Sequence, residues 1–97
     1  MTTLHVELQD GFTGEPVVVE VDGATVVEDS PRTRVQIGLA LTLEVDVEPG
    51  SHVLTVRHPG AAPFVEAVDV GAETWVGVSV AGGVVTARVQ PAPFWYA

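Results

Sequence analysis

Three histidines, three serines and thirteen carboxylates hold most of the reactive chemistry available to this chain of 97 residues. Two of the histidines fall in one apolar stretch, "EPGSHVLTVRHPG", residues 48–60. An extended chain rises ~3.3 Å per residue, so His52 and His58 stand about 20 Å apart. Ligands of one zinc ion must each reach within ~2.1 Å of it, so this pair cannot share one. There is no cysteine, which removes thiolate sites and disulfides. Ser51 adjoins His52, but neighbours on a strand point to opposite faces and do not make a nucleophile–base dyad. Ser79 has no histidine near it in the chain. Glu44, Asp46 and Glu48 recur at every second residue, a row with roughly 7 Å spacing rather than the converging loop that calcium requires. Gly82-Gly83 joins two apolar runs, with no helix start behind it to cradle a phosphate. The expectation is a protein without catalytic, metal or cofactor sites.

The aromatic residues are the stronger lead. Phe12 lies in a loop, Phe64 opens an apolar run, Trp75 alternates away from Val76, Val78 and Val80, and the sequence ends "PAPFWYA". If Ser79 pairs with Thr86, Gly77 with Arg88 and Trp75 with Gln90 across the Gly82-Gly83 turn, Trp75 and Arg88 are diagonal neighbours. The guanidinium is then expected against the indole. Pro91 and Pro93 cannot donate to a ladder, so the last strand stops near Gln90. Leaving Phe94, Trp95 and Tyr96 in water together is costly, so an ordered tail is expected, with Trp95 as its main anchor. It docks either on its own sandwich or on a neighbouring subunit. Trp75, Arg88, Phe94, Trp95 and Tyr96 are the candidate interaction residues.

These residues must be positioned by strands, because the dominant pattern has period two. Leu4, Val6 and Leu8 alternate with polar residues, and Val17, Val19 and Val21 precede a two-residue turn at Asp22-Gly23. Every odd position from Val35 to Val47 is apolar. As a single strand that run is long for a small domain, so a bend at Gly38 or Ala40 is expected, carrying the strand from one sheet to the other. Pro49-Gly50 then reads as a hairpin turn, with Val47 opposite His52, Val45 opposite Leu54, Leu43 opposite Val56 and Leu41 opposite His58. In that hairpin His52 is half-buried at the rim of the core and His58, ahead of Pro59, is wet. Further strands cover 64–70, 74–80 and 84–90. No window has capped helical periodicity.

The formal charge of −9 comes from thirteen acids against four arginines. Such a surface repels phosphates and anionic lipid, which argues against nucleic acid and membrane surfaces as partners. No apolar run is long enough to span a bilayer, and "MTTLHVELQDG" does not have the make-up of a signal peptide. The expected location is cytoplasmic, or extracellular if the sequence is a trimmed piece of a longer protein.

Several stretches resemble known modules. "VEVDGATVVEDSP" and "VEPGSHVLTVRHPG" are similar to the opening strand pair and the Pro-Gly hairpin of PEGA-type modules, and "VDVGAETWVGVSV" to their closing strands. "LQDGFTGEPVVVEV" resembles the opening of carboxypeptidase regulatory-like domains. The likeness covers about residues 4–81. It departs at Ala61, where family members carry an aromatic that Phe64 replaces three positions on, and it sets His52 at a second aromatic position. The resemblance implies a transthyretin-like antiparallel β-sandwich of about seven to nine short strands, and a non-enzymatic accessory or adhesion-like role. The combined reading is one sandwich domain over residues 1–90 and an aromatic tail over 91–97. Its expected function is protein interaction or assembly, through a protein partner or self-association. The alternatives are a carbohydrate or small-ligand binding module using exposed aromatics, and a small enzyme subunit completed by a partner.

Overall fold

A computed structural model describes residues 1–96. It contains eight strands: β1 (Thr2–Leu8), β2 (Val17–Val21), β3 (Ala24–Asp29), β4 (Leu41–Val47), β5 (Gly50–Arg57), β6 (Phe64–Val70), β7 (Thr74–Ala81) and β8 (Val84–Gln90). They form two four-stranded sheets, ordered β4-β1-β7-β8 and β3-β2-β5-β6. Every pairing is antiparallel except β1 with β7, which run parallel with Leu4 beside Thr74 and Leu8 beside Val78. Among the described residues there is no helix, and thus none long and apolar enough to cross a membrane.

The period-two residues form the interior between the sheets. Leu4, Val6, Leu8, Val76 and Val78 from the first sheet meet Val19, Leu54, Val56 and Val68 from the second, all buried. Branched aliphatic side chains suit this pleated, half-buried surface. Each is worth roughly 1.5–3 kcal/mol when fully removed from water. Phe12, although in a loop, plugs one end of this core and meets the His58 ring edge-on at 6.2 Å. The Asp22-Gly23 turn has positive φ at both residues, 52° and 81°, the geometry that a two-residue hairpin of primed type demands. Gly82-Gly83 repeats it at 57° and 75°.

Three expectations about the middle of the chain are corrected. The run from Val35 to Val47 is not a single bent strand. The amides of Ile37 and Gly38 both donate to the Arg34 carbonyl, and Arg34 N–H donates to the Leu39 carbonyl. These bonds close a tight loop with Gly38 at φ 69°, and Val35 is left 89% exposed. Nor is Pro49-Gly50 a hairpin turn. It is the corner where the chain leaves the first sheet for the second, so β4 pairs with β1 while β5 pairs with β2 and β6. The inward faces of β4 and β5 are nonetheless those expected, because a corner between two facing sheets presents the same alternation as a hairpin. Finally, His58 is buried rather than wet, since Pro59-Gly60 folds back over it and Gly60 N–H donates to its Nδ1 at 3.0 Å.

Candidate functional site: a strap across the first sheet

The outward face of the first sheet carries most of the residues singled out from the sequence. Pairing places Glu44, His5, Trp75 and Gln90 in one row across β4, β1, β7 and β8, and Thr42, Glu7, Gly77 and Arg88 in the next. Ser79 and Thr86 follow, with Gln9 just beyond the end of β1. Gly77 matters because it has no side chain. A Cβ there would lie 2.5 Å from the Gln9 amide, so the missing atom makes the space in which Gln9 lies across the sheet.

Beyond β8 the chain turns back over this face. Gln90 Nε2 donates to the carbonyls of Ala92 and Pro93, at 2.7 and 3.1 Å. Phe94 then brings its ring under Arg88, whose Cζ is 5.3 Å from the ring centroid. Tyr96 O–H donates to the Glu7 carboxylate and accepts from Gln9 Nε2 at 3.0 Å. Residues 90–96 therefore form a strap from β8 over β7 to β1. Burial, with help from the Glu7 carboxylate, pushes the Tyr96 phenol up to about 12, so it keeps its proton throughout the neutral range. Glu7 is itself 9% exposed. A carboxylate this far from water needs such a donor.

The strand register expected for Trp75, Arg88 and their partners is the one found, but the contacts within it differ. Trp75 stacks on His5, with centroids 4.4 Å apart and planes 2° from parallel. The His5 ring is held in turn by Glu73, 2.8 Å from Nε2, and Glu44, 3.7 Å from Nδ1. Arg88 has Phe94 as its aromatic partner. The indole was taken first by the parallel neighbour on β1, a pairing not visible from the β7–β8 hairpin alone. The expected tail anchor is also corrected. Phe94 and Tyr96 hold the strap, while Trp95 is 97% exposed. In an extended segment adjacent side chains point to opposite sides, and anchoring residues 94 and 96 turns residue 95 outward. Ala97, the last residue of the expected tail, lies outside the described residues.

Reading the sequence missed His5, Glu7 and Gln9. Their alternation with Leu4, Val6 and Leu8 marks them as outward-facing. Only the β1–β7 pairing brings them to Trp75 and the tail.

The remaining candidates for chemistry are spread over the molecule. His52 Nδ1 donates to Asp22 at 2.6 Å and its Nε2 to the Glu48 carbonyl. Both partners can only accept, so this geometry calls for the doubly protonated ring. The Asp22 hydrogen bond is the main reason its pKa is raised above 6.5. His58 Nδ1 accepts from Gly60, which leaves the proton on Nε2. Among the described residues that buried atom has no hydrogen-bond partner, and Glu15 Oε1 lies 3.8 Å away. Ser79 Oγ accepts from Asp10 N–H at 3.4 Å. Glu44 and Asp46 point outward from β4 into solvent. Among the described residues, no three histidine, aspartate or glutamate side chains converge on a point that could hold a metal ion.

Comparison of the chain with protein-family models, curated proteins and solved structures returned no match.

Proposed function

We propose that this protein is a non-catalytic β-sandwich module that binds another protein through its C-terminal strap, with Trp95 as the inserted group. The observation that carries this reading is the exposure of Trp95, 97%, between two residues clamped to the sheet. Tryptophan is over-represented among residues that dominate binding energy. A side chain presented on an already ordered segment loses less freedom on binding than one on a free tail. A basic or neutral partner is favoured by the charge of −9, and nucleic acid is disfavoured by it. The two facing four-stranded sheets fit the β-sandwich that the resemblance to PEGA-like, transthyretin-like modules implies, and the accessory role is taken from that resemblance. The absence of catalysis is part of the proposal. It is supported by histidines committed to carboxylates or enclosed by the fold.

The test is a photo-crosslinking amino acid placed at position 95 and, as a control, at the equally open Val35. A discrete adduct from position 95 alone, identified by mass spectrometry in cell extract, is the expected result. Equal labelling from both positions would overturn the proposal.

One observation favours a second reading, binding of a carbohydrate or another small polar ligand. Beside the strap, Gln9, Asp10, Ser79, Thr86 and Arg88 line a cleft floored by Gly77, offering amide, carboxylate, hydroxyl and guanidinium groups together. Saturable shifts of the Arg88 side-chain and Gly77 amide resonances on titration with a sugar panel would favour this reading. An unchanged spectrum would remove it.

A further inference from the structure

We propose that the cleft beside the strap binds a small zwitterion of the amino-acid type, with Arg88 on its carboxylate and Asp10 on its ammonium group. This is a further binding function, independent of Trp95 and distinct from the sugar reading of the same cleft. The cleft has a volume of about 280 Å³, just under the range of pockets that take drug-sized molecules, so it suits a smaller ligand. Its two charged residues stand on opposite sides of β7. Val80 N–H donates to the Asp10 carbonyl at 2.9 Å, which carries the parallel ladder of β1 and β7 one step further. Arg88 sits on β8 opposite Gly77. Two strand spacings of ~4.8 Å put the two backbones at least about 10 Å apart. Gly77 and Ser79 of β7 form the floor between them.

Both charges are open to a ligand. Arg57 meets Glu20 at 3.4 Å, but among the described residues Arg88 has no carboxylate at ion-pair distance. Its recorded contact is the Phe94 ring, 5.3 Å from Cζ. A ring against the face of a guanidinium leaves the N–H groups at its edge free, and these match a carboxylate two at a time. Asp10 likewise has no cation beside it among the described residues. Burial raises the Tyr96 phenol most, and the Asp10 charge adds to that, which places this carboxylate on the outer side of the sheet, where the strap lies. Ser79 Oγ accepts from Asp10 N–H at 3.4 Å, so its O–H is free to donate. Gln9 Nε2 is committed to Tyr96, which leaves Oε1 to accept. Charge decides between ligands. An anion alone fits Arg88 but must enter the field of a chain at −9. A cation alone leaves Arg88 uncompensated, and a sugar takes water from both ions without supplying a countercharge. A zwitterion meets both ions and has no net charge for the field to repel.

The experiment is an NMR titration of the full chain with the common amino acids and, as uncharged probes, glucose and galactose, following the Arg88 Nε–H and Gly77 amide resonances. Each amino acid that binds is repeated as its N-acetyl and methyl-ester derivatives. The expected result is a saturable shift from at least one amino acid, weakened roughly tenfold or more when either charge is blocked, with no shift from the sugars. Arg88→Met and Asp10→Asn should each weaken binding by a similar factor. Both positions are exposed, so the fold tolerates either change. The pairing is read from the variants through the Gly77 amide. In Arg88→Met the methyl ester should bind as well as the free acid, and in Asp10→Asn the N-acetyl derivative as well as the free amine, because each blocked group has already lost its partner. Three results overturn the proposal: no shift from any amino acid, binding that survives blocking of either charge, or the same affinity in both variants as in the parent. A shift from the sugars alone overturns the zwitterion and leaves the sugar reading in its place. The strap reading is tested separately at position 95, so failure of one does not imply failure of the other.

Discussion

At the scale of single residues, His52 shows how a side chain that resembles a ligand serves the fold. It ties the Asp22-Gly23 turn to the chain entering β5, through Asp22 on one nitrogen and Glu48 on the other. Asp22 also accepts from Val53 N–H. Hydrogen bonds from His52 and then Val53 lower the Asp22 pKa from 3.8, while the Asp22 bond, followed by the Glu48 carbonyl, raises that of His52 from 6.5. The signs define a window. The His52 contribution is fully present below 6.5 and is lost as pH rises through its raised value. The Asp22 contribution is present above 3.8 and is lost as pH falls through its lowered value. His52→Ala should therefore lower the melting temperature most at about pH 5.5 and least at about pH 9. A thermal-melt series across that range checks it, and a pH-independent difference would contradict this account. The imidazole's position at the rim of the core was legible from alternation alone. Its two acceptors were not, because Asp22 lies thirty residues away in sequence and arrives through β2–β5 pairing.

At the scale of elements, the strap separates anchoring from presentation. Tyr96→Phe removes the donor that satisfies Glu7 and leaves a nearly buried carboxylate one hydrogen bond short. Bonds to charged groups contribute about 1.5–3 kcal/mol, so a loss of about 1–2 kcal/mol is expected at this partly open site. Trp95→Ala removes a ring that is 97% exposed and should stay within about 0.5 kcal/mol of the parent. Urea unfolding of both variants at a concentration where the chain is monomeric measures the contrast, and equal losses would mean that Trp95 helps to anchor the strap. Order in the tail was legible from three consecutive aromatics behind two prolines, and so was the end of β8. The identity of the anchor was not, because the phase of the alternation after Pro93 is set by where Glu7 and Arg88 stand, and Glu7 belongs to the opposite end of the sequence. The loop at Arg34–Leu39 failed for a related reason. Alternating apolar residues describe a strand only where a neighbouring strand exists to pair with, and there the backbone closes on itself instead.

At the scale of the molecule, which residues face inward was far more legible than which strands are neighbours. Leu4, Val19, Leu54 and Val78 read as core without any knowledge of partners, because both sheets face one interior. The order of strands rests on pairings that local pattern does not encode, above all the parallel β1–β7 contact, which sets Leu4 beside Thr74. This contact makes the N-terminal strand central in its sheet, flanked by β4 on one side and β7 on the other. The first sheet is thus incomplete until the two ends of the chain meet, and a loop of about seventy residues must close before that contact gives anything back. The β2–β3, β5–β6 and β7–β8 hairpins have no such delay, and hairpins of this kind form in about 1–10 μs. Refolding should accordingly be slow for so small a chain, in the millisecond-to-second range typical of sandwiches dominated by distant pairings. Trp75 is a built-in reporter, since its stacking on His5 exists only when β1 and β7 are paired. Stopped-flow tryptophan fluorescence on Trp95→Phe, which leaves Trp75 as the single indole, should place most of the amplitude in that slow phase. His5→Ala should change the fluorescence amplitude far more than the rate, because stacking follows the pairing. A full fluorescence change completed within microseconds would mean that the two ends are already together before the rest of the sheet forms.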